Sequence, residues 1–198
     1  MDRTGRLAGA AHPPAESNGP ARRGGPVVRR GGFGVGAGAF GGLHTGANPV
    51  DRGKRGCKRH LITDAAGLPL LVHTTPANVR DERPLLEMVE ALPAVQGPRG
   101  RPRRRPKALM GDRGYGFPGI IAAVTAMGID SLLAPRREAH GSGLGAQRYV
   151  VEQTLAAYGT FRRIKFCYER SGAHFQGFHD LASCVICANR LRQVTGGL

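Results

Sequence analysis

The 198-residue chain has no tryptophan, 6% aromatic residues, and no apolar run approaching the roughly 18 residues that cross a bilayer. So few rings argue against reading a single strand by successive base stacking. No basic amphipathic helix with an aromatic face is evident, which sets a membrane surface aside as partner. The opening stretch MDRTGRLAGAAHPP lacks the apolar centre of a secretory signal, so a cytoplasmic location is expected. Cysteine is sparse: Cys57 and Cys167 stand alone, and the Cys184–Cys187 pair has no second ligand pair at zinc spacing, although His174 and His179 lie upstream. The better reading makes both paired cysteines small buried hydrophobes beside Leu181, Val185, Ile186 and Leu191 on a C-terminal helix. Acids are also scarce. Fourteen Asp and Glu face 29 Lys and Arg, and the net charge of +15 points to a polyanionic partner, nucleic acid first.

What is abundant near the start is glycine. Residues 1–46 are rich in Gly, Ala, Pro and Arg around RRGGFGVGAGAFGG (Arg29 to Gly42), too poor in side chains to offset the entropy of ordering, so disorder is expected. From residue 47 to 195 the pattern is that of one folded domain. KRHLITDAAGLPLLVHTTPAN reads as a hairpin of strands Arg59 to Asp64 and Leu68 to Thr74. DERPLLEMVEAL (Asp81 to Leu92) repeats Leu85, Leu86, Val89 and Leu92 at helical spacing. The basic linker RGRPRRRPK (Arg99 to Lys107) leads into KALMGDRGYG, an apolar run that stops on Asp112 and a glycine turn. A helix from Pro118 to Met127, a strand from Ile129 to Ala134, a helix from Arg148 broken near Gly159, and the C-terminal helix complete the order. This predicts a mixed α/β layer, a sheet covered by helices.

Two of the few acids stand out. Asp112 would project from a strand end, and Glu152 sits at the edge of an apolar helix face made by Val150, Val151 and Leu155. Separately, each has a plain structural reading: Asp112 as a cap or a partner of Arg113, Glu152 as an i, i+4 partner of Arg148. Together, carboxylates on a strand end and a helix packed across it suit Mg²⁺ or Mn²⁺ and displacement at phosphorus, provided further acids join them.

The segments GGLHTGANPVDRGKRGCKRHLITDAAGLPL, GRPRRRPKALMGDRGYG, HGSGLGAQRYVVEQTLAAYGTFRRIKFCYER and LASCVICANRL occur in one order and spacing. In them the chain resembles the DDE transposases of bacterial insertion sequences, of the insertion-sequence-5-like branch within the insertion-sequence-4-type superfamily, from about Gly41 to Leu191. The resemblance implies a ribonuclease-H-like fold with acids on the first strand, the fourth strand and a later helix, holding two divalent ions, Mg²⁺ or Mn²⁺. Asp112 matches the second Asp and Glu152 the Glu, both as catalytic metal ligands; Arg148 matches the arginine that meets a DNA phosphate. Implied partners are double-stranded DNA, as transposon end and as target, and further copies of the chain. Arg103, Arg104, Arg105, Lys107, Arg162 and Arg163 are the cations expected to track phosphates.

The chain departs from that pattern where the first Asp belongs. Val27 to Phe40 reads VVRRGGFGVGAGAF, and no acid occurs between Glu16 and Asp51. Gly31 or Gly32 is expected at the position, while Asp51 matches a loop residue. The family's lysine beyond Glu152 is replaced by Gly159, and its tyrosine before Arg148 by Gly145. The N-terminal end-binding helices are also expected to be missing. Impaired strand cleavage is therefore anticipated, with a non-catalytic DNA binder that competes with a full-length transposase as the alternative; an unrelated basic RNA binder leaves the ordered matches unexplained.

Overall fold

Adjacent residues on the same strand go to opposite sides of one sheet, and that alternation organises the molecule. Leu61 and Leu109 differ in this way from their neighbours: Leu61 and Met110 pack on one face, Ile62 and Leu109 on the other, and all four are buried. The structure, a computed structural model, describes residues 27–31, 44–49, 52–96, 100–135 and 145–196, with the backbone alone defined in 27–31 and 145–148. Within these, the strands are β1 (Val27–Gly31), β2 (Gly46–Ala47), β3 (Arg55–Thr63), β4 (Pro69–Pro76), β5 (Ala108–Gly111) and β6 (Asp130–Leu133). The helices are α1 (Leu85–Glu90), α2 (Pro118–Ala126), α3 (Gly145–Tyr158), α4 (Arg162–Lys165) and α5 (Gly172–Thr195).

β3 is the hub. It pairs antiparallel with β4, as the hairpin reading anticipates, with β1 on its other side, and near its start with the short β2. β1 then pairs parallel with β5, and β5 parallel with β6, so the sheet is mixed. The β3–β4 turn is closed by Asp64, whose Oδ1 accepts the N–H of Ala66 at 2.9 Å and of Leu68 at 2.7 Å. Strand β1 falls within the stretch 1–46 read as low-complexity; the rest of that stretch up to residue 43 lies outside the described residues. Val27 and Val28 are the β-branched pair in it that suits a strand.

Helices α1 and α2 cover one face, where Leu85, Met88, Val89 and Val124 pack on Ile62 and Leu109. α1 is shorter than the apolar spacing suggests, because Pro84 restricts the residue before it and occupies the N-cap. The other face carries α3, α4 and α5, whose Val151, Leu155, Ile164, Ala182 and Ile186 pack on Leu61, Val72 and Met110. α3 ends at Tyr158, and Gly159 to Phe161 turn the chain before α4, so the break expected near Gly159 is present.

α5 corrects the sequence reading of its apolar side. Phe175, His179, Ala182 and Ile186 are its buried row, whereas Leu181, Val185, Leu191 and Cys184 are exposed. The polar His179 hid that row from a hydropathy pattern. Its Nδ1–H donates to the Phe175 carbonyl at 2.8 Å, and its ring stands edge-on to Phe175 with centroids 4.6 Å apart. Burial is the largest influence on this imidazole, followed by the charge of Arg59, and together they push its pKa down to about 4.

Truncation should separate the two rows: Ile186→Ala should cost about 2–4 kcal/mol and Leu191→Ala less than about 0.5 kcal/mol, measured by urea unfolding. His179 stays neutral in the fold while the unfolded chain protonates near its ordinary pKa, so stability is retained above that value and lost as pH falls toward 4. The His179 contribution to that loss should be about 2 kcal/mol between pH 7 and 5, and His179→Gln should remove that part of the pH slope.

Candidate active site

β5 ends at Gly111, so Asp112 is the first residue beyond the strand, where a carboxylate can reach a ligand at the sheet edge. The turn that follows is built from its own backbone and carboxylate: Gly114 N–H donates to Asp112 Oδ1 at 2.9 Å, and Tyr115 N–H to the Asp112 carbonyl at 3.1 Å. Gly116 is required by close approach, because a Cβ there would lie 1.8 Å from the carbonyl oxygen of Ala134, just past β6. Beneath the turn, buried His60 hydrogen-bonds through Nδ1 to the Tyr115 hydroxyl at 3.2 Å and through Nε2 to Thr75 Oγ1 at 2.9 Å. This polar chain ties the Asp112 turn to β3 and β4.

A second acid stands beside the turn. The position a Cβ would take on Gly114 lies 3.0 Å from Asp112 Oδ1 and 3.6 Å from Asp81 Oδ2, so the two carboxylates flank one glycine. Asp81 Oδ1 pairs with Lys58 Nζ at 3.1 Å, and the same ammonium donates to the Val79 carbonyl at 2.8 Å. Both side chains are largely buried. Sequence reasoning treated Asp81 as a helix start; the available signal was that the end of a hairpin must return to the sheet edge where its strands began.

Glu152 lies on α3 and is exposed, next to fully buried Val151, at the margin of the packed face. Arg148 precedes it by one turn on the same helix. α3 packs against β1 and β3, on the Met110 face of the sheet. Among the described residues no three His, Cys, Asp or Glu side chains form a group able to hold a metal ion. The β1–β5 register pairs Val27 with Met110 and Val28 with Gly111. The pairing stops there, one residue short of Asp112. Asp51 lies outside the described residues.

The cations do not gather at Asp112. Arg103, Arg104, Arg105 and Lys107 are exposed at the entry to β5, the opposite end of a strand about 13 Å long. Arg105 Nη1 donates to the carbonyl of Met127 at 2.9 Å, holding this end against the close of α2. Arg162 and Arg163 are exposed on α4, beyond the C-terminal end of α3. The structure thus brings Asp112 together with Asp81 and Lys58, and sets the two cationic groups elsewhere on the surface.

The sheet is thus mixed, with Asp112 just past the end of an inner strand and Glu152 on a later helix. Residues 32–187 match the family described as the transposase DDE domain. A Burkholderia cepacia protein named as a transposase of insertion sequence element IS402 is 40% identical over 194 residues, covering 98% of this chain and 90% of that protein. No solved structure matches the chain significantly. The chain belongs to the DDE-type transposases of insertion sequences.

Lys58→Met should remove the buried ion pair with Asp81, destabilising the fold by about 3 kcal/mol. Lys58→Met combined with Asp81→Asn should recover at least half of that loss. A double-mutant cycle by urea unfolding measures both.

Proposed function

We propose that this chain is a ribonuclease-H-like transposase domain that binds the DNA of an insertion sequence while its strand-cleaving centre is impaired. The ribonuclease-H-like reading is supported by the sheet. Leaving aside the two-residue β2, Asp112 follows the fourth strand and Glu152 lies on the helix after the fifth, which is the layout the sequence resemblance implies. β1 lies between the antiparallel hairpin and the parallel pair β5–β6, so a first-strand acid would adjoin Asp112.

The observation that carries the impaired reading is the lack of an acid on the neighbouring strand. β1 reads VVRRG, and it is the strand paired with β5 up to Gly111, the residue before Asp112. The catalytic donors assigned by resemblance, Asp112 and Glu152, are two where clustered carboxylates are needed to hold a pair of Mg²⁺ or Mn²⁺ ions. Asp81 does not supply the deficit, because Lys58 already neutralises it. The described residues therefore do not fit a two-ion centre, and no cleavage step is assigned to them.

DNA binding is supported by what remains. The net charge is +15, exposed arginines of the linker and of α4 contribute to it with guanidinium groups that match phosphate oxygens, and Arg148 lies on α3 one turn from Glu152. Contacts of this kind position a duplex without reading its bases. The double-stranded DNA of element ends and target is the proposed partner.

The test uses the full chain and a supercoiled plasmid carrying its gene with flanking DNA. The expected result is a shift in plasmid mobility that persists in EDTA, with no nicking on adding Mg²⁺ or Mn²⁺. Metal-dependent nicking that disappears in Asp112→Ala would overturn the impaired reading; loss of the shift in EDTA at low salt would overturn DNA binding. Replacing Arg103 and Arg104 together by Ala should reduce the slope of log affinity against log salt by about 2 units, with thermal stability unchanged.

A further inference from the structure

The turn after α4 carries a feature that general phosphate tracking does not use. Arg162, Arg163, Phe166 and Tyr168 line an open cleft of about 440 Å³, within the range of roughly 300–1,000 Å³ typical of small-ligand sites. Its two rings are 43% and 49% exposed, which is costly for large side chains unless something covers them. Their centroids are 6.2 Å apart with planes inclined at 48°, so they form an angled wall and not a closed stack.

The charges around the rings select the ligand class. Arg163 is held in place, paired with Glu169 and lying 4.8 Å above the Phe178 ring, while Lys165 Nζ lies 5.8 Å from the centre of Phe166. Glu169 is thereby neutralised, and the described residues that line the cleft are two arginines and two rings. An aromatic wall with cations at its rim suits a flat π system that carries a negative group. On a chain with a net charge of +15, in a family that acts on DNA, the ligand meeting both demands is a nucleotide.

A paired base cannot reach such a wall, because its faces are occupied by its neighbours in the stack. We propose that the Arg162–Tyr168 cleft takes a single unpaired nucleotide of the bound DNA, its base against Phe166 and Tyr168 and its phosphate against Arg162. The low aromatic content argues against stacking a run of bases, but one base needs no more than these two rings. The inference rests on the DNA-binding reading above and adds to it a preference for DNA with a base out of the helix.

The test compares two 30-base-pair duplexes of random sequence, one fully paired and one with a single extra looped-out 2-aminopurine, titrated with the full chain in EDTA. The expected result is about tenfold tighter binding of the looped-out duplex, from stacking of one base, with quenching of its fluorescence. Phe166→Ala with Tyr168→Ala should remove the preference and the quenching while affinity for the paired duplex is kept; both rings are exposed, so a thermal melt should show the fold intact. Equal affinity of the wild-type chain for the two duplexes would overturn the cleft alone. Failure to bind either duplex would overturn the DNA-binding reading together with it, and quenching that survives in the double variant would place the base elsewhere.

Discussion

Everything around Asp112 depends on the parallel pairing of β1 with β5. The hairpin of β3 and β4 is local and closes through a turn of its own, but β5 and β6 have no antiparallel partner among the described strands. Through β1 the two halves become one sheet, and the paired positions Val27 and Met110 set the height at which Asp112 leaves it. Parallel pairing over so few residues is weak in isolation. It is stabilised by the helices on both faces, each fully buried Leu or Ile contributing about 1.5–3 kcal/mol.

Several polar groups are buried in the interior, and a number of them meet one another there. Arg59 is buried with its guanidinium carbon 5.3 Å above the Tyr158 ring, and desolvation lowers its pKa to about 10. Tyr158 in turn is raised to about 12, chiefly by burial, and its hydroxyl meets Ser183 on α5. Cys57 and Cys167, isolated in sequence, meet as a hydrogen-bonded thiol pair that raises the first thiol and lowers the second. These contacts cross-link β3 to α3, α4 and α5, on the face away from α1 and α2. They join elements that the sequence presents far apart.

Much of the domain was legible in the sequence because its signals are local. The hairpin, α2, the break at Gly159 and the strand ending at Asp112 each rest on a few neighbouring residues whose propensities agree. β1 was hidden by surrounding glycine, and the buried row of α5 was hidden by His179, since a histidine counts as polar until a neighbouring carbonyl satisfies it. The match to the transposase family extends the same lesson. It depends on residue identities strung along the chain, and these are present whether or not the first-strand acid is.

The sequence by itself carried the family, in its ordered motifs, and the α/β class and cationic character, in its composition and short-range spacing, and it pointed to Asp112 and Glu152 as the acids to examine. Only the tertiary structure decided what stands beside those acids. Sheet register, set by pairing between distant segments, brings Val28 level with Gly111, so that β1, which carries no acid, adjoins the Asp112 end of β5. The hairpin's return brings Asp81 to the same edge with Lys58 already bound to it. Helix packing and the turn after α4 leave Phe166 and Tyr168 exposed together. None of these neighbours is close in sequence to the acids or is predicted by propensity, since a contact across a sheet or between helices is settled by the packing of the whole chain.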